Sequence, residues 1–379
     1  MHKALKRRVL MIRSHIVPPD PPVEKAARFL VSKGCSVTVV CWDRDCDYKI
    51  KKDFIPVGED GFEVVKFGIR GTFSGGIKKN LFPMIKFLLR LRSYMKENCE
   101  NFDVIHAFDL DTGIVAKQIA KKKNKKFIYH ILDFYAACRL KKDTFLYNAI
   151  KNVEFKVISS ADATIICSEK RKEQIEGSKP KKLFVIHNTP EAVDFEEAKS
   201  ETGRMKIVYA GVFLQGRLLD ELFELVEADE KLELHIAGFG EMEDKIQALS
   251  QRCARIHYYG KLPYSKVLEL EHNCDIMTVL YDPAVPNHNY AAPNKFYEAL
   301  MLGKPFVMCK NTGWDEVVEK EQVGVLIECS KDGLKKGLDT LYEKREQWEE
   351  MSERGKTLYR DRYSWDVMKT RLGNLYDEI

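Results

Sequence analysis

The sequence predicts an α/β fold built from two Rossmann-like domains. Short runs rich in β-branched and aromatic residues alternate with helical patterns, which is typical of parallel sheets with crossover helices. A charged stretch at 191–204 interrupts this alternation, which then resumes. We therefore expect a first domain at 1–190, a second domain at 205–360 and a C-terminal helical segment at 361–379.

The predicted strands divide between the two halves of the chain. In the first half they are 9–12, 37–41, 64–67, 104–106, 127–130, 163–167 and 183–186. In the second half they are 207–209, 232–236, 256–259, 276–279, 306–308 and 325–327. The segment from Trp365 to Tyr376 has the periodicity of an amphipathic helix.

Composition indicates a soluble globular protein. With 379 residues the chain can bury the cores of two domains, and 45% of its residues are hydrophobic. A net charge of +5 is mild, so we expect no nucleic-acid partner. We expect no secretory leader, because the basic start leads directly into a short apolar strand, and we find no apolar run of the ~18–20 residues that a membrane span needs. Its ten cysteines form no C-x-x-C pair, which favours reduced thiols in the cytoplasm.

One stretch of the second half carries the clearest chemical signal. Pro293 and Asn294 precede a predicted amphipathic helix on which Lys295 and Glu298 share a face. The free N–H groups of a helix start favour an anion. Together with a lysine and a carboxylate, they suit a ligand with phosphates at one end and hydroxyls at the other, such as a nucleotide-diphosphate sugar. The alternative is a solvated Lys-x-x-Glu pair.

This stretch resembles the donor-site helix of the retaining family 4 glycosyltransferases of the GT-B fold, in the subset with Pro-Asn-Lys-x-x-Glu. The resemblance implies two domains facing a cleft, with the last helix crossing back to the first domain. It also implies that Glu298 holds the donor ribose and that Pro293, Asn294 and Lys295 lie at the donor. The family motif has two glutamates, and the position of the first is Tyr290 here, which leaves the sugar open.

Two further segments of the second half match donor-binding positions. Gly211 and Gly216 flank a loop after the strand 207–209 and let backbone approach a ligand, and Arg217 follows. In the family a basic residue here grips the diphosphate, and a guanidinium can do so bidentately; a surface arginine is the alternative. Leu262 lies where family members cradle the base through backbone groups, although an ordinary turn fits as well.

The first half is expected to bind the acceptor. His15 lies in a Pro-rich loop that resembles the Pro-Asp-Pro-x-Val-x-Lys loop of some family members, a stiff wall facing the ligand. Asp109 follows the strand 104–106 and Asp133 follows the strand 127–130. Asp133 either accepts hydrogen bonds from sugar hydroxyls or caps the following helix.

Catalysis is expected to be electrostatic. Arg217, Lys295 and the helix start would stabilise the charge that develops on the diphosphate as the glycosidic bond breaks. His106 is a third catalytic candidate because family members carry His-x-His here, but the second place is Phe108. A structural histidine is therefore the alternative. Retention by front-face attack is what the resemblance implies.

Other motifs and groupings suggest no chemistry. The G-x-G at 238–240 lacks the third glycine of a dinucleotide fingerprint, so we expect it to be structural. The D-x-D of Asp109 and Asp111 lies in the half away from the predicted nucleotide site. No His, Cys or carboxylate grouping in the sequence suggests a metal, and we expect no cofactor besides the donor substrate.

The segment 77–96, from Ile77 to Lys96, bears on localisation. Lysines and arginines are interleaved in this segment with apolar residues that recur at helical spacing. The apolar residues are Leu81, Ile85, Leu88, Leu91 and Met95. Such a helix either lies on an anionic membrane surface or packs on the core with a solvated basic face. We expect a cytoplasmic protein, and a peripheral position on the inner face of the membrane is the alternative.

The combined expectation is a hexosyltransferase-type enzyme that moves a sugar from a nucleotide-diphosphate sugar to a saccharide or lipid-linked acceptor, with retention and without a metal. A nucleotide-sugar epimerase of the same fold, or a non-catalytic GT-B scaffold at the membrane surface, remains an alternative. An epimerase needs a carboxylate-rich sugar pocket, and Tyr290 in place of glutamate makes that pocket less acidic.

Overall fold

The computed structural model describes residues 7–72, 76–195 and 203–379, with the backbone alone for 76–78. The chain forms two compact units, unit 1 (Met1–His187 with Lys369–Ile379) and unit 2 (Asn188–Met368). Each unit is an α/β layer structure of the Rossmann-like kind, which confirms the predicted fold class. The predicted linker at 191–204 lies partly outside the described residues, because 196–202 are not among them.

The described residues of each unit form one sheet. In unit 1 the strand order is β3-β4-β2-β1-β5-β6-β7-β8, with β1 (Arg8–Arg13), β2 (Ser36–Asp43), β3 (Tyr48–Val57), β4 (Asp60–Gly68), β5 (Val104–Phe108), β6 (Lys126–Ile131), β7 (Ala163–Ile166) and β8 (Leu183–Val185). In unit 2 the order is β11-β10-β9-β12-β13-β14, with β9 (Met205–Phe213), β10 (Leu232–Gly240), β11 (Ile256–Tyr258), β12 (Ile276–Val279), β13 (Phe306–Cys309) and β14 (Val325–Ile327).

The helices follow the strands in the alternation that the sequence predicts. Unit 1 contains α1 (Pro21–Ser32), α2 (Gly76–Glu97), α3 (Asp109–Lys123), α4 (Tyr135–Arg139), α5 (Phe145–Ile158) and α6 (Arg171–Gln174). Unit 2 contains α7 (Leu219–Ala228), α8 (Glu243–Arg252), α9 (Tyr264–His272), α10 (Asn294–Leu302), α11 (Asp315–Glu321), α12 (Lys331–Glu343) and α13 (Trp348–Leu358). The last helix is α14 (Trp365–Glu378), and short helical turns occur at Cys99–Asn101, His288–Tyr290, Arg345–Gln347 and Tyr359–Tyr363.

Strand β3 was missed in the sequence analysis. It pairs antiparallel with β4 through a two-residue turn at Gly58 and Glu59, and Gly58 adopts a φ of 62° that a hairpin turn of this length favours. Its side chains are largely exposed and rich in lysine, so it has little of the apolar pattern that marks the other strands. Charges on an edge strand of this kind discourage pairing with another chain.

The C-terminal helix α14 contributes to unit 1. Leu372, Leu375 and Tyr376 are buried, and the Tyr376 hydroxyl lies 3.0 Å from Nδ1 of His106 on β5. Arg371 of the same helix donates to the Val185 carbonyl at 2.9 Å. The prediction that the last helix returns to the first domain is therefore confirmed.

Each sheet has a point where the strand order reverses. In unit 1, β1 pairs with β2 on one side and with β5 on the other. In unit 2, β9 lies between β10 and β12 in the same way. Ligands of open α/β sheets bind beyond the carboxyl ends of the strands at such a switch point. The carboxyl ends of β1 and β5, and those of β9 and β12, are therefore where a site is expected.

Candidate functional site

The switch point of unit 2 brings a lysine against a glycine. Lys295, in the first turn of α10, donates from Nζ to the carbonyl oxygen of Ala210 on β9. Its ammonium also lies 4.8 Å from the centre of the Tyr209 ring. Gly211 has a φ of 148°, and a Cβ there would lie 2.5 Å from the Lys295 Nζ. A side chain at Gly211 would thus displace the ammonium. The structure therefore brings two predicted donor residues, Gly211 and Lys295, into direct contact.

The backbone explains why α10 presents Lys295 there. Pro293 is the N-cap residue, and proline disfavours helical geometry in the residue before it, so the helix starts at this point. Asn294 accepts a hydrogen bond from the side chain of Asn188 at 3.0 Å. Gly303, with a φ of 64°, ends the helix in the left-handed conformation that favours glycine. The N-terminal N–H groups of α10 are therefore held at the switch point.

A buried carboxylate of α10 lies close to a buried carboxylate of α9. Glu298 is 4% exposed and accepts a hydrogen bond from the Tyr264 hydroxyl at 2.8 Å. Glu271 of α9 is 1% exposed, and its Oε2 has no hydrogen-bond partner among the described residues. Burial and the Glu298 carboxylate raise the pKa of Glu271 well above its ordinary value. Burial alone would lower the pKa of Lys295, but the phenols of Tyr209 and Tyr281 and the Glu298 carboxylate raise it.

Arg217 reaches the same region from the loop after β9. Its guanidinium carbon lies 3.6 Å from the centre of the Tyr281 ring, just beyond β12, and its Nη1 donates to the Leu280 carbonyl at 3.3 Å. The loop is fastened by a hydrogen bond from the Asp282 N–H to the Gly216 carbonyl at 3.1 Å. Within the described part of the chain, neither Arg217 nor Lys295 forms an ion pair at 4.0 Å or less.

The other predicted donor residues lie on separate segments. Tyr290 is half-buried in the turn His288–Tyr290, and the Ala291 carbonyl that follows accepts from Trp314 Nε1 at 2.9 Å. Leu262 is half-buried in the connection from β11 to α9. Their predicted contacts with the sugar and the base stay predictions.

The G-x-G segment is structural at its first glycine. Gly238 has a φ of 147°, and a Cβ there would lie 1.8 Å from the Gly211 carbonyl oxygen. Only glycine allows β10 to approach β9 this closely at the point where Gly211 meets Lys295. The expectation that this motif packs the loops is consistent with that contact.

Several side chains around the donor residues escaped the sequence analysis, namely Asn188, Tyr209, Tyr264, Glu271 and Tyr281. Tyr209 ends the predicted strand 207–209, although β9 continues to Phe213, and Tyr281 lies just beyond β12. The carboxyl ends of the predicted strands could therefore have indicated both residues. Tyr264 and Glu271 lie on α9, and their proximity to Glu298 depends on how α9 and α10 pack.

At the switch point of unit 1, one arginine forms ion pairs with two carboxylates. Arg13, at the end of β1, donates from Nε to Asp20 Oδ2 at 2.7 Å and from Nη1 to Asp109 Oδ2. Asp109 has a φ of 63°, and its Oδ1 accepts from the N–H groups of Leu132 and Asp133 at 3.0 and 3.1 Å. Arg13, Asp20 and Asp109 are buried. Both carboxylate oxygens of the predicted acceptor residue Asp109 therefore accept hydrogen bonds from the protein itself.

His106 is enclosed in unit 1. It is 0% exposed, and its ring nitrogens lie 3.0 Å from the Tyr376 hydroxyl and 3.2 Å from His130 Nδ1. Burial, followed by the charge of His130, lowers its pKa well below the ordinary value. Its catalytic role stays a prediction. His130 stands beside Phe108 in the sheet register, and its buried Nε2 has no partner among the described residues.

Cations cluster around the predicted acceptor residue His15. Arg44 donates to the Ser14 carbonyl at 3.1 Å and lies 4.3 Å from the Trp42 ring centre. Burial, then the charges of Arg13, Arg44 and, more weakly, Arg139, lower the pKa of His15 to about 4. His15 is therefore neutral at physiological pH.

Asp133 has a different environment. Its side chain is 57% exposed and pairs with Arg171 at 3.2 Å. Its N–H is one of the donors to Asp109. The carboxylate is thus accessible to a hydroxyl from solvent. The N-cap residue of α4 is Phe134 and not Asp133, so the helix-cap alternative is not supported, and the contact with the acceptor stays a prediction.

Helix α2 differs between its two faces. Phe87, Leu91 and Met95 are buried, and the Phe87 ring stacks on Trp42 at 5.4 Å. Other apolar side chains of the helix are exposed, with Phe82 at 81%, Leu89 at 60%, Leu81 at 46% and Ile85 at 44%. Lys79, Lys86 and Lys96 are exposed too. Arg90 instead donates to the carbonyls of Tyr48 and Gly68. The predicted segment thus combines a packed face and an exposed apolar face.

The helices in the described ranges include none that is long and apolar enough to cross a membrane. The side chains of Ile77 and Lys78, at the start of the predicted segment 77–96, lie outside what the structure describes.

Two sequence families match the chain, one in each half. The glycosyl transferases group 1 family matches residues 191–358, and the Glycosyltransferase Family 4 family matches residues 23–189. Among curated protein sequences, no significant match is found.

Solved structures match the chain over nearly its whole length. Sucrose-phosphate synthase from Thermosynechococcus elongatus superimposes with a TM-score of 0.75 at 14% identity, covering 98% of each chain. Anabaena HepE in complex with UDP-glucose gives 0.68 at 14% identity, covering 98% of this chain and 100% of HepE. WaaG, a glycosyltransferase involved in lipopolysaccharide biosynthesis, gives 0.65 at 14% identity, with 97% and 99% covered. At these identities the similarity establishes the fold.

Proposed function

Because this chain is a glycosyltransferase of the GT-B type, similar to family 4, we propose that it moves a hexose from a nucleotide-diphosphate sugar to a saccharide or lipid-linked acceptor. We propose further that transfer retains the anomeric configuration and requires no metal ion. The enzyme would act in the cytoplasm.

The observation that carries this proposal is the pair of cations at the switch point of unit 2. Lys295 rests on Tyr209 and the Ala210 carbonyl, and Arg217 rests on Tyr281. Among the described residues neither has a carboxylate partner within 4.0 Å. Two positive charges held by rings and carbonyls, beside the N–H groups of a helix start, form an arrangement that attracts a diphosphate.

The same arrangement accounts for catalysis. When the glycosidic bond breaks, negative charge grows on the diphosphate, and preorganised cations and N–H groups stabilise that charge more than the charge of the bound donor. Glu298 would accept hydrogen bonds from the ribose. A carboxylate can accept about four hydrogen bonds, so ribose hydroxyls can join the Tyr264 phenol there.

The acceptor side favours a molecule with an anionic group. Arg44 is bound to a carbonyl and a ring, and Arg139 lies 4.0 Å from the Tyr135 ring centre. Burial, followed by the charges of Arg139 and Arg13, lowers the pKa of Arg44 despite the opposing charge of Asp111. An acceptor phosphate or carboxylate would relieve this repulsion. WaaG, a glycosyltransferase involved in lipopolysaccharide biosynthesis, shares the fold.

We also propose a peripheral contact of α2 with anionic membranes. The exposed side chains of Phe82, Ile85 and Leu89 recur at spacings of three and four residues, with Lys86 among them. Apolar groups that insert at the interface, beside lysines that face anionic headgroups, match the chemistry of an anionic bilayer. A lipid-linked acceptor would be met at that surface.

A nucleotide-sugar panel tests the function. The purified protein is incubated with UDP-, GDP- and ADP-sugars, with and without phosphorylated and neutral saccharide acceptors, in the presence of a chelator. We expect donor hydrolysis or transfer with one nucleotide, and faster transfer to the phosphorylated acceptor. A new sugar nucleotide as the product would identify an epimerase instead, and the absence of any turnover and nucleotide binding would favour a scaffold.

A further inference from the structure

Two imidazoles and one carboxylate converge at the β11 edge of the unit 2 sheet. Glu233 and His235 lie on β10, where they alternate with the core residue Leu234 and so share the opposite face. His257 on β11 is the register partner of His235. Three residues that are distant in sequence are thus placed on one face of two neighbouring strands.

Their polar atoms point at one another. Glu233 Oε1 lies 3.0 Å from Nε2 of His235 and 3.2 Å from Nε2 of His257. The two imidazole rings are stacked, with centres 4.8 Å apart and planes at 23°. All three ligand atoms lie within 4.8 Å of one another. In a tetrahedral zinc site with bonds of ~2.0–2.2 Å, donor atoms are about 3.3 Å apart, so small movements would admit an ion.

The surroundings are those of a metal-ligating histidine. Nδ1 of His235 lies 2.8 Å from the Tyr259 hydroxyl. That hydroxyl donates to Nδ1 when Nε2 carries the proton, and it can accept from an Nδ1–H when Nε2 binds a metal. The Glu233 side chain is 9% exposed, whereas that of His257 is 40% exposed. Solvent therefore reaches the cluster from the His257 side, which leaves room for water as a further ligand.

We propose that Glu233, His235 and His257 form a binding site for a divalent transition-metal ion of the Zn²⁺ class. Imidazole nitrogen and carboxylate oxygen are ligands that Zn²⁺ accepts, and three protein ligands plus water complete a tetrahedral shell. This replaces the expectation from the sequence that the chain offers no ligand cluster.

An ion at the proposed site would have a structural effect. It would join β10 to β11 and, through Tyr259, hold the start of the segment that leads to α9. Lys206, the register partner of Glu233 on β9, adds a positive charge nearby and should moderate the affinity. Without an ion the same atoms form hydrogen bonds from imidazole N–H groups to one carboxylate oxygen, so binding must be measured directly.

The test uses the full chain after dialysis against a chelator. Calorimetric titration with Zn²⁺ should show one saturable equivalent, and Co²⁺ should give the visible absorption of a tetrahedral complex. Glu233→Gln and His257→Ala should abolish both signals. His272→Ala is the matched control, because His272 is a half-buried histidine of unit 2 that stacks on Phe195 outside the cluster; it should bind as the parent does. Tyr259→Phe should weaken binding by about tenfold.

A second measurement guards against misfolded variants. Thermal unfolding of the metal-free proteins should be similar for the parent and His257→Ala, since that side chain is partly exposed, and Zn²⁺ should raise the midpoint of the parent alone. The proposal is overturned if the parent shows no saturable Zn²⁺ binding, or if folded Glu233→Gln and His257→Ala bind Zn²⁺ as tightly as His272→Ala. Neither result depends on glycosyl transfer.

Discussion

The two units place opposite kinds of interaction at equivalent points of their sheets. At the switch point of unit 1, Arg13 is buried between Asp20 and Asp109, so cation and carboxylates satisfy one another. At the switch point of unit 2, Lys295 and Arg217 face aromatic rings and carbonyls. The first arrangement fixes the structure of a loop. The second leaves positive charge available to an anionic ligand.

The largest expected effect concerns the buried ion pairs at the switch point of unit 1. Arg13→Ala should reduce the free energy of unfolding of unit 1 by about 3–5 kcal/mol, because Asp20 and Asp109 would remain buried without their cation. Denaturant unfolding followed by circular dichroism measures it. Arg8→Ala is the control, since Arg8 and Asp103 form an exposed pair with side chains 48% and 46% accessible, and its loss should cost at most about 1 kcal/mol. Equal costs would mean that the buried network is not holding the loop.

Substitutions at the switch point of unit 2 should lower enzyme activity and leave the stability of the protein largely unchanged. Lys295→Ala should reduce kcat by ~10²–10³, the range for removal of one group that stabilises transition-state charge. Arg217→Ala should also depress turnover more than it depresses binding of the bare nucleoside. Steady-state kinetics with the donor found by the panel, together with nucleoside titration, measures both. Lys310→Ala serves as the control, because Lys310 pairs with Glu328 at the surface of the same unit. If Arg217→Ala and Lys310→Ala are equally active, Arg217 is an ordinary surface residue.

Glu298 tests whether the donor side extends to the ribose. Glu298→Ala should weaken nucleotide binding by about 1.5–3 kcal/mol, the range for hydrogen bonds to a charged group. Calorimetric titration with UDP and GDP measures this. Tyr264→Phe removes the present donor to Glu298 but leaves the carboxylate, so it should have the smaller effect. Unchanged affinity in a folded Glu298→Ala protein would remove this residue from the site.

The features that could be predicted from the sequence are those that follow from local patterns in the chain. The parallel strands have apolar patterns that are local in the chain, and Lys295 and Glu298 share one helical turn, so their proximity follows from helical spacing. Strand β3 lacked an apolar pattern because most of its side chains face solvent. The partners Arg13 and Asp109 are separated by 96 positions. That pairing, like the contact of Tyr264 with Glu298, depends on how elements pack, which no local pattern encodes.

A buried carboxylate of unit 1 makes stability depend on pH. Glu154 accepts from the Tyr129 hydroxyl at 2.8 Å, and burial raises its pKa to about 8. Because the folded state holds this proton more tightly than the unfolded state, the stability of the parent should fall as pH rises from about 4.5 to 8. Glu154→Gln should not show this decline. Relative to the variant, the parent should lose up to about 1.4 kcal/mol of its free energy of unfolding per pH unit within that window. Parallel curves for the two proteins would mean that Glu154 is ionised when folded.

The smallest expected effect concerns the exposed face of α2. If Phe82, Ile85 and Leu89 insert at a membrane interface, the protein should co-sediment with anionic vesicles and not with neutral ones. Each nearby lysine should contribute about 1 kcal/mol, and this contribution fades as salt shortens the Debye length. Replacing Lys79, Lys86 and Lys96 with glutamine should therefore release the protein, and these changes should leave folding intact because the three side chains are exposed.

The matched control uses the exposed lysines Lys121, Lys122 and Lys123 at the end of α3. Changing them to glutamine removes the same charge from unit 1 at a distance in sequence from the exposed apolar residues of α2. If both triple variants lose binding equally, net charge alone explains attraction to the vesicles, and α2 is no docking surface. If the α2 variant alone is released, and Phe82→Ser weakens binding at high salt as well, apolar insertion and lysine attraction act together there. The choice between a lipid-linked and a freely diffusing acceptor then favours the lipid-linked one, because the enzyme would already be held where such acceptors lie.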